Sequence, residues 1–175
     1  LKEFKMEKIL VIGAAGQLGS ELTKSLSDMY GGEQVIATDL NEAAKSKFDY
    51  CRFEVLDIMD QEAAKDLIKK ENVKQIYHLA AVLSATGEKK PLFAWDLNMD
   101  SLLFVLEMAR EFKLEKVYWP SSIAVFGPNT PKINTPQYCV KEPNTVYGIS
   151  KQAGERWCEY YFQKYHVDVR SLRYP

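Results

Sequence analysis

Gly13-Ala14-Ala15-Gly16-Gln17-Leu18-Gly19 follows an apolar run, Ile9-Leu10-Val11-Ile12, and opens a helical pattern carried on by Leu22 and Leu26. Glycines at 13, 16 and 19 allow a tight turn, a close approach of a pyrophosphate to the backbone, and close packing of helix on strand. A helix starting here presents unpaired N–H groups and the positive end of its dipole. The spacing is GxxGxxG, not the commoner GxGxxG, and an ordinary strand-to-helix turn would explain the glycines alone. Asp39 tips the balance. It ends the next apolar run, Val35-Ile36-Ala37-Thr38, and lies 20 residues beyond Gly19. A carboxylate there binds the hydroxyls of an adenosine ribose and repels a 2′-phosphate. The combination predicts a dinucleotide site that prefers NAD to NADP.

Outward from that joint, short apolar runs alternate with amphipathic stretches. Helix is expected over 16–30, strand over 34–38, and a loop or short helix over 41–50. A third strand is expected at 52–55, and a helix over 60–71 with Asp60 as its N-cap. A fourth strand reads over 75–81, a long helix over 91–112, and a fifth strand over 116–122. Residues 127–143 hold four prolines and read as loop. A second long helix over 147–165 and a sixth strand over 167–172 complete the pattern. Strands alternating with helices predict an α/β fold, a Rossmann doubly wound parallel sheet with helices on both faces. Ligands of such sheets lie at the carboxyl ends of the strands.

The bulk properties bound the function classes. A chain of 175 residues suits one domain. Its net charge of -1 gives no reason to expect nucleic acid or an anionic membrane as partner. No apolar run approaches the ~20 residues that span a bilayer. Residues 1–5 are expected to be a tag or trimmed leader, with Met6 as native start and 6–175 as the domain. Cys51, Cys139 and Cys158 lie far apart and imply a reducing compartment. His78 and His166 lack ligand-spaced partners, so no metal is expected. Lys65, Lys69, Lys70 and Lys74, with Glu62 and Glu71, read as a solvated helix face.

Two further features carry chemistry. Ser121-Ser122 stands at the end of strand five, and Tyr147-Gly148-Ile149-Ser150-Lys151 opens the second long helix. Positions i and i+4 share a helix face, so Tyr147 and Lys151 project side by side. A phenol with a pKa of about 10 is a poor base at neutral pH, and a neighbouring ammonium favours the phenolate. A serine hydroxyl could hold the substrate oxygen while the tyrosine exchanges its proton. Tyr-x-x-x-Lys alone is a weak signal. Beside the glycine turn, Asp39 and a strand-end serine it becomes a candidate active site.

These residues carry a resemblance to the extended short-chain dehydrogenase/reductase family, and within it to the L-threonine 3-dehydrogenase branch. The similar runs are His-Leu-Ala-Ala-Val-Leu-Ser-Ala-Thr-Gly-Glu at 78–88, Trp-Pro-Ser-Ser-Ile-Ala-Val-Phe-Gly-Pro at 119–128 and Pro-Asn-Thr-Val-Tyr-Gly-Ile-Ser-Lys at 143–151. Two more lie at 154–161 and 168–175. The resemblance implies oxidation of L-threonine to 2-amino-3-oxobutanoate, with NAD accepting hydride. It makes Tyr147 the base and gives Lys151 two tasks, lowering the tyrosine pKa and binding the nicotinamide ribose. Ser122, five residues before Gly127, matches the catalytic serine better than Ser121. Asp57 and Ile58 would meet adenine, Leu79, Ala80 and Ala81 would line the cofactor, and Ser84 would face substrate. Asn98 would position the lysine through water or backbone, although a helix-surface asparagine explains it nearly as well.

The family continues past the Arg-Tyr-Pro run into a small lobe that closes over substrate. Without it the chain is expected to bind NAD weakly and turn over threonine poorly or not at all. The loop between Asp39 and Cys51 is shorter than is usual in this branch. Dense aromatics at 157–165 fit either partial packing on the sheet or a dimer interface. The family pairs through this helix and the one near 98–112, so a homodimer is expected. The compartment implied is cytoplasmic, or the mitochondrial matrix for a eukaryotic source. Two other functions remain open: a nucleotide-sugar epimerase or dehydratase, and a non-catalytic dinucleotide sensor.

Overall fold

A computed structural model describes residues 7–175. The expected tag or leader and Met6 lie outside the described residues. In chain order the elements are β1 (Lys8–Ile12), α1 (Gln17–Tyr30), β2 (Val35–Asp39), β3 (Arg52–Val55), α2 (Gln61–Lys70) and β4 (Val73–His78). There follow α3 (Ser84–Lys89), α4 (Pro91–Trp95), a π-helical turn (Asp96–Asp100), α5 (Ser101–Phe112) and β5 (Lys116–Tyr118). The last are β6 (Ser121–Ser122), α6 (Val146–Tyr165), β7 (Val169–Arg170) and β8 (Arg173–Tyr174).

The main sheet is wholly parallel, in the order β3-β2-β1-β4-β5-β7, and β6 pairs with β8 beside it. β1 is central because Ile9, Leu10, Val11 and Ile12 are apolar on both faces, which only a strand covered on both sides can use. Alternate residues supply the two cores. Leu10, Ile12, Ile36 and Ile76 face α2, α5 and α6. Ile9, Val11, Val35 and Ala37 face α1 and the Ala44–Phe48 turn. The chain runs outward from β1 to β3 and then returns to β4, so the sheet order reverses between β1 and β4. That reversal opens the ligand crevice of a doubly wound sheet.

Asp60 caps α2 as expected, accepting from Ala63 N at 3.1 Å. Elsewhere the expected boundaries shift for visible reasons. Strand four ends at His78, not 81. Leu79 N still donates to Ile12 O at 2.8 Å, and the chain then leaves the sheet. Strand five, expected over 116–122, splits into β5 and β6. The N–H groups of Val117, Trp119 and Ser121 donate to Asp168, Arg170 and Leu172 without interruption. Pro120, which has no N–H, falls on the side where β4 has already ended. The long helix over 91–112 is three segments, and α3 precedes it where none was expected. Among the described residues no helix is long and apolar enough to cross a membrane.

Candidate functional site

The glycine turn hangs over the end of β2. Gly13 N and Ala14 N both donate to Thr38 O at 2.9 Å. Gly13 has φ +81°, and a Cβ there would lie 2.6 Å from Ala80 N. A Cβ on Gly19 would lie 2.3 Å from Gly13 O. Both positions therefore exclude a side chain. The start of α1 has no side-chain cap and no acidic residue in its first turn, so its leading N–H groups are left for a ligand. They look onto a cleft of ≈ 250 Å³ bordered by Gly13, Gly16 and Asp39, by Asp57 and Ile58, and by Leu79, Ala80 and Ala81. Gln17 and Leu18 stand exposed at the helix start, and Gly19 is buried beneath it.

Asp39 does two things. Its Oδ2 accepts from Ala15 N at 2.9 Å, bracing the glycine turn, and its Oδ1 accepts from Asn41 N at 3.0 Å. Each carboxylate oxygen keeps a second acceptor site for a ribose hydroxyl. Asp57 Oδ1 accepts from Met59 N at 2.8 Å, which fixes the turn beside Ile58. Uncapped amides at one end and an acid at the edge fit an anionic dinucleotide. Leu40, Leu56 and Leu97 also border the cleft and were not foreseen. Leu40 and Leu56 directly adjoin the predicted acids, so a widening of the pattern by one residue would have found them.

The second cluster gathers at the start of α6. Thr145 caps this helix, accepting from Gly148 N at 3.0 Å. Lys151 is 2% exposed, donates to Pro120 O at 2.7 Å, lies 4.3 Å from the centre of the Trp119 ring, and is 5.5 Å from that of Tyr147. Burial lowers its ammonium to about 8, so it remains cationic at neutral pH. Tyr147 departs from expectation. Burial raises its phenol, and the Ser122 hydroxyl beside it pulls the other way. The ammonium that was to lower it is engaged with the Pro120 carbonyl. Trp119 and Pro120, which immediately precede the serine pair, enter the sequence reading only as part of the similar run at 119–128, with no role of their own.

The two serines part company. Ser122 Oγ accepts from Ala124 N at 3.1 Å and lies beside Tyr147. Ser121 Oγ donates to Glu155 Oε1 at 2.7 Å, within an ion cluster that includes Arg173 and Lys141. Asn98 is 2% exposed, not on the surface. It sits in the π turn, accepts from Val82 N at 2.8 Å, and donates to Val82 O and Ser150 Oγ. Through Ser150, which bonds Tyr147 O, it is tied to the backbone of the helix that carries Lys151. Ser84 is exposed at the first position of α3. His78 is buried and pairs Nε2 with Ser101 Oγ at 2.8 Å, whereas His166 is exposed in the left-handed cap of α6.

The profile of the NAD dependent epimerase/dehydratase family matches residues 9–175. An uncharacterized epimerase/dehydratase of Staphylococcus saprophyticus is 48% identical over 171 residues, 97% of this chain and 53% of that protein. A solved partial consensus L-threonine 3-dehydrogenase superposes with a TM-score of 0.92 at 55% identity, over 96% of this chain and 54% of that one. The holo form of a GalE-like L-threonine dehydrogenase from Cupriavidus necator gives 0.92 at 52% identity, over 96% and 55% of the two chains. The chain thus spans about half the length of the relatives it matches. Since the family profile runs from the central strand to the last residue, the chain belongs to the NAD dependent epimerase/dehydratase family, the extended short-chain dehydrogenase/reductases.

Proposed function

We propose that this chain is the cofactor-binding part of an NAD-dependent oxidoreductase that converts L-threonine to 2-amino-3-oxobutanoate. The observation that carries the reading is the placement of the Ser122 hydroxyl beside the Tyr147 phenol, with a buried ammonium 5.5 Å from the same ring. NAD, when bound, accepts the hydride. The rest is the work of the chain. Ser122 holds the substrate hydroxyl and Tyr147, as the phenolate, takes its proton and becomes the phenol. Lys151, anchored on Pro120 O, keeps two N–H donors for the nucleotide ribose and places a fixed positive charge where the phenolate forms. Asp39 receives the adenosine ribose and selects against a 2′-phosphate. The similarity to the two threonine dehydrogenases supports threonine as substrate.

A second reading, nucleotide-sugar epimerase or dehydratase, is supported by the family to which the chain belongs. Absorbance of NADH, followed with L-threonine, a UDP-sugar and no substrate, separates the two. A slow growth of the signal with threonine alone, in keeping with a chain that spans about half the length of its relatives, is the expected result. Tyr147→Phe should abolish oxidation and leave NAD affinity within about twofold, as expected of a group that acts on the proton and not on binding. An active Tyr147→Phe variant would remove the assignment.

A further inference from the structure

The first turn of α6 is held from outside its own sequence. Thr145 secures Gly148 N, but the first amide of the helix, Val146 N, donates to Glu88 Oε1 of α3 at 2.8 Å. α6 has no acidic residue in its own first turn, so the carboxylate at its positive end comes from a residue 58 positions earlier. Val146 directly precedes Tyr147. α3 has six residues, too few to be stable alone, and it needs fastening. Both of its ends are tied to α6. Ahead of it, Val82 is gripped by Asn98, which reaches Ser150, and Ser150 Oγ donates to Tyr147 O at 2.8 Å. At its far end stands Glu88.

We propose that Glu88 is a positioning residue: by holding Val146 N it locks the Tyr147 phenol to the short helix that begins at Ser84. Substrate contact and proton acceptor then move as one body. The inference rests on the roles given above to Tyr147 and Ser84. It adds a residue that touches neither substrate nor cofactor.

Glu88→Gln keeps the accepting Oε1, and Glu88→Ala removes it. In Glu88→Ala, kcat with threonine should fall about fivefold, as the loss of one charge-assisted hydrogen bond allows, while KM for NAD stays within about twofold. Glu88→Gln should recover kcat to within about twofold. Amide exchange of Val146, read by NMR, should quicken in Glu88→Ala and return in Glu88→Gln. Unchanged kcat and unchanged exchange in Glu88→Ala would overturn the proposal. So would equal losses in both variants accompanied by a lower melting temperature. A parent chain too slow on threonine to measure leaves kcat silent, and the exchange of Val146 then decides the tether by itself.

Discussion

Ser121 and Ser122 are chemically identical neighbours, and their partners alone give them different work. Ser122→Ala should lower kcat by about 100-fold, the lower bound for losing a group that acts on proton transfer. Ser121→Ala should leave kcat near its parent value and cost roughly 1 kcal/mol of stability, measured by urea unfolding. The sequence could place both at a strand end but could not separate them on chemistry. The separating partner, Glu155, lies 34 residues further on. His78 was legible only as a histidine without metal partners. Burial first, then the charge of Lys151, holds its imidazole at about 3. Below about pH 6.5 the unfolded chain takes up a proton that the folded chain refuses. Stability is therefore complete above that pH and declines beneath it, by up to about 1.4 kcal/mol per pH unit. For Glu155, burial would raise the carboxyl, but Arg173, Lys141 and Ser121 together outweigh it and hold it at about 2. That carboxylate is a second stabilising group lost in acid, its contribution declining from the usual carboxylate range down to about pH 2. Urea midpoints from pH 7.5 to 5 should fall in the parent and flatten in His78→Asn.

Elements whose local pattern and tertiary role agree were the easiest to read. β1, the glycine turn, α1 and β2 follow from apolar runs, glycine geometry and one acid. α3 escaped because six polar or small residues around Gly87 show no helical period. The π turn escaped because one additional residue per turn leaves no mark in composition, although it carries Asn98 inward. α6 was visible, but what it rests on was not. A Cβ on Gly154 would lie 2.3 Å from Trp119 Cη2, and the same ring lies beneath the Lys151 ammonium. Gly154→Ala should cost about 1–3 kcal/mol through overpacking and should also lower kcat, because the displaced indole disturbs Lys151. Thermal melts and turnover measured together check both effects. A variant that loses neither would show that the indole yields freely.

For the whole molecule, sheet order was implicit in the alternation of strands and helices, since few topologies connect such units right-handedly. Association was less legible. Tyr161 is buried and bonds to Glu107, whereas Trp157 and Tyr160, about one turn apart on α6, remain 40% and 41% exposed. We propose that this face pairs with a second copy. Sedimentation equilibrium should return a dimer, and Tyr160→Glu should shift it toward monomer, since a charge desolvated in an apolar contact is costly.

The central place of β1 also has a consequence for synthesis. β1 leaves the ribosome before either of its neighbours, β2 and β4. Until His78 clears the exit tunnel, the nascent chain carries Ile9 to Ile12 with one flank unpaired. The central strand thus stays open until β2, β3 and α2 have been made and β4 arrives.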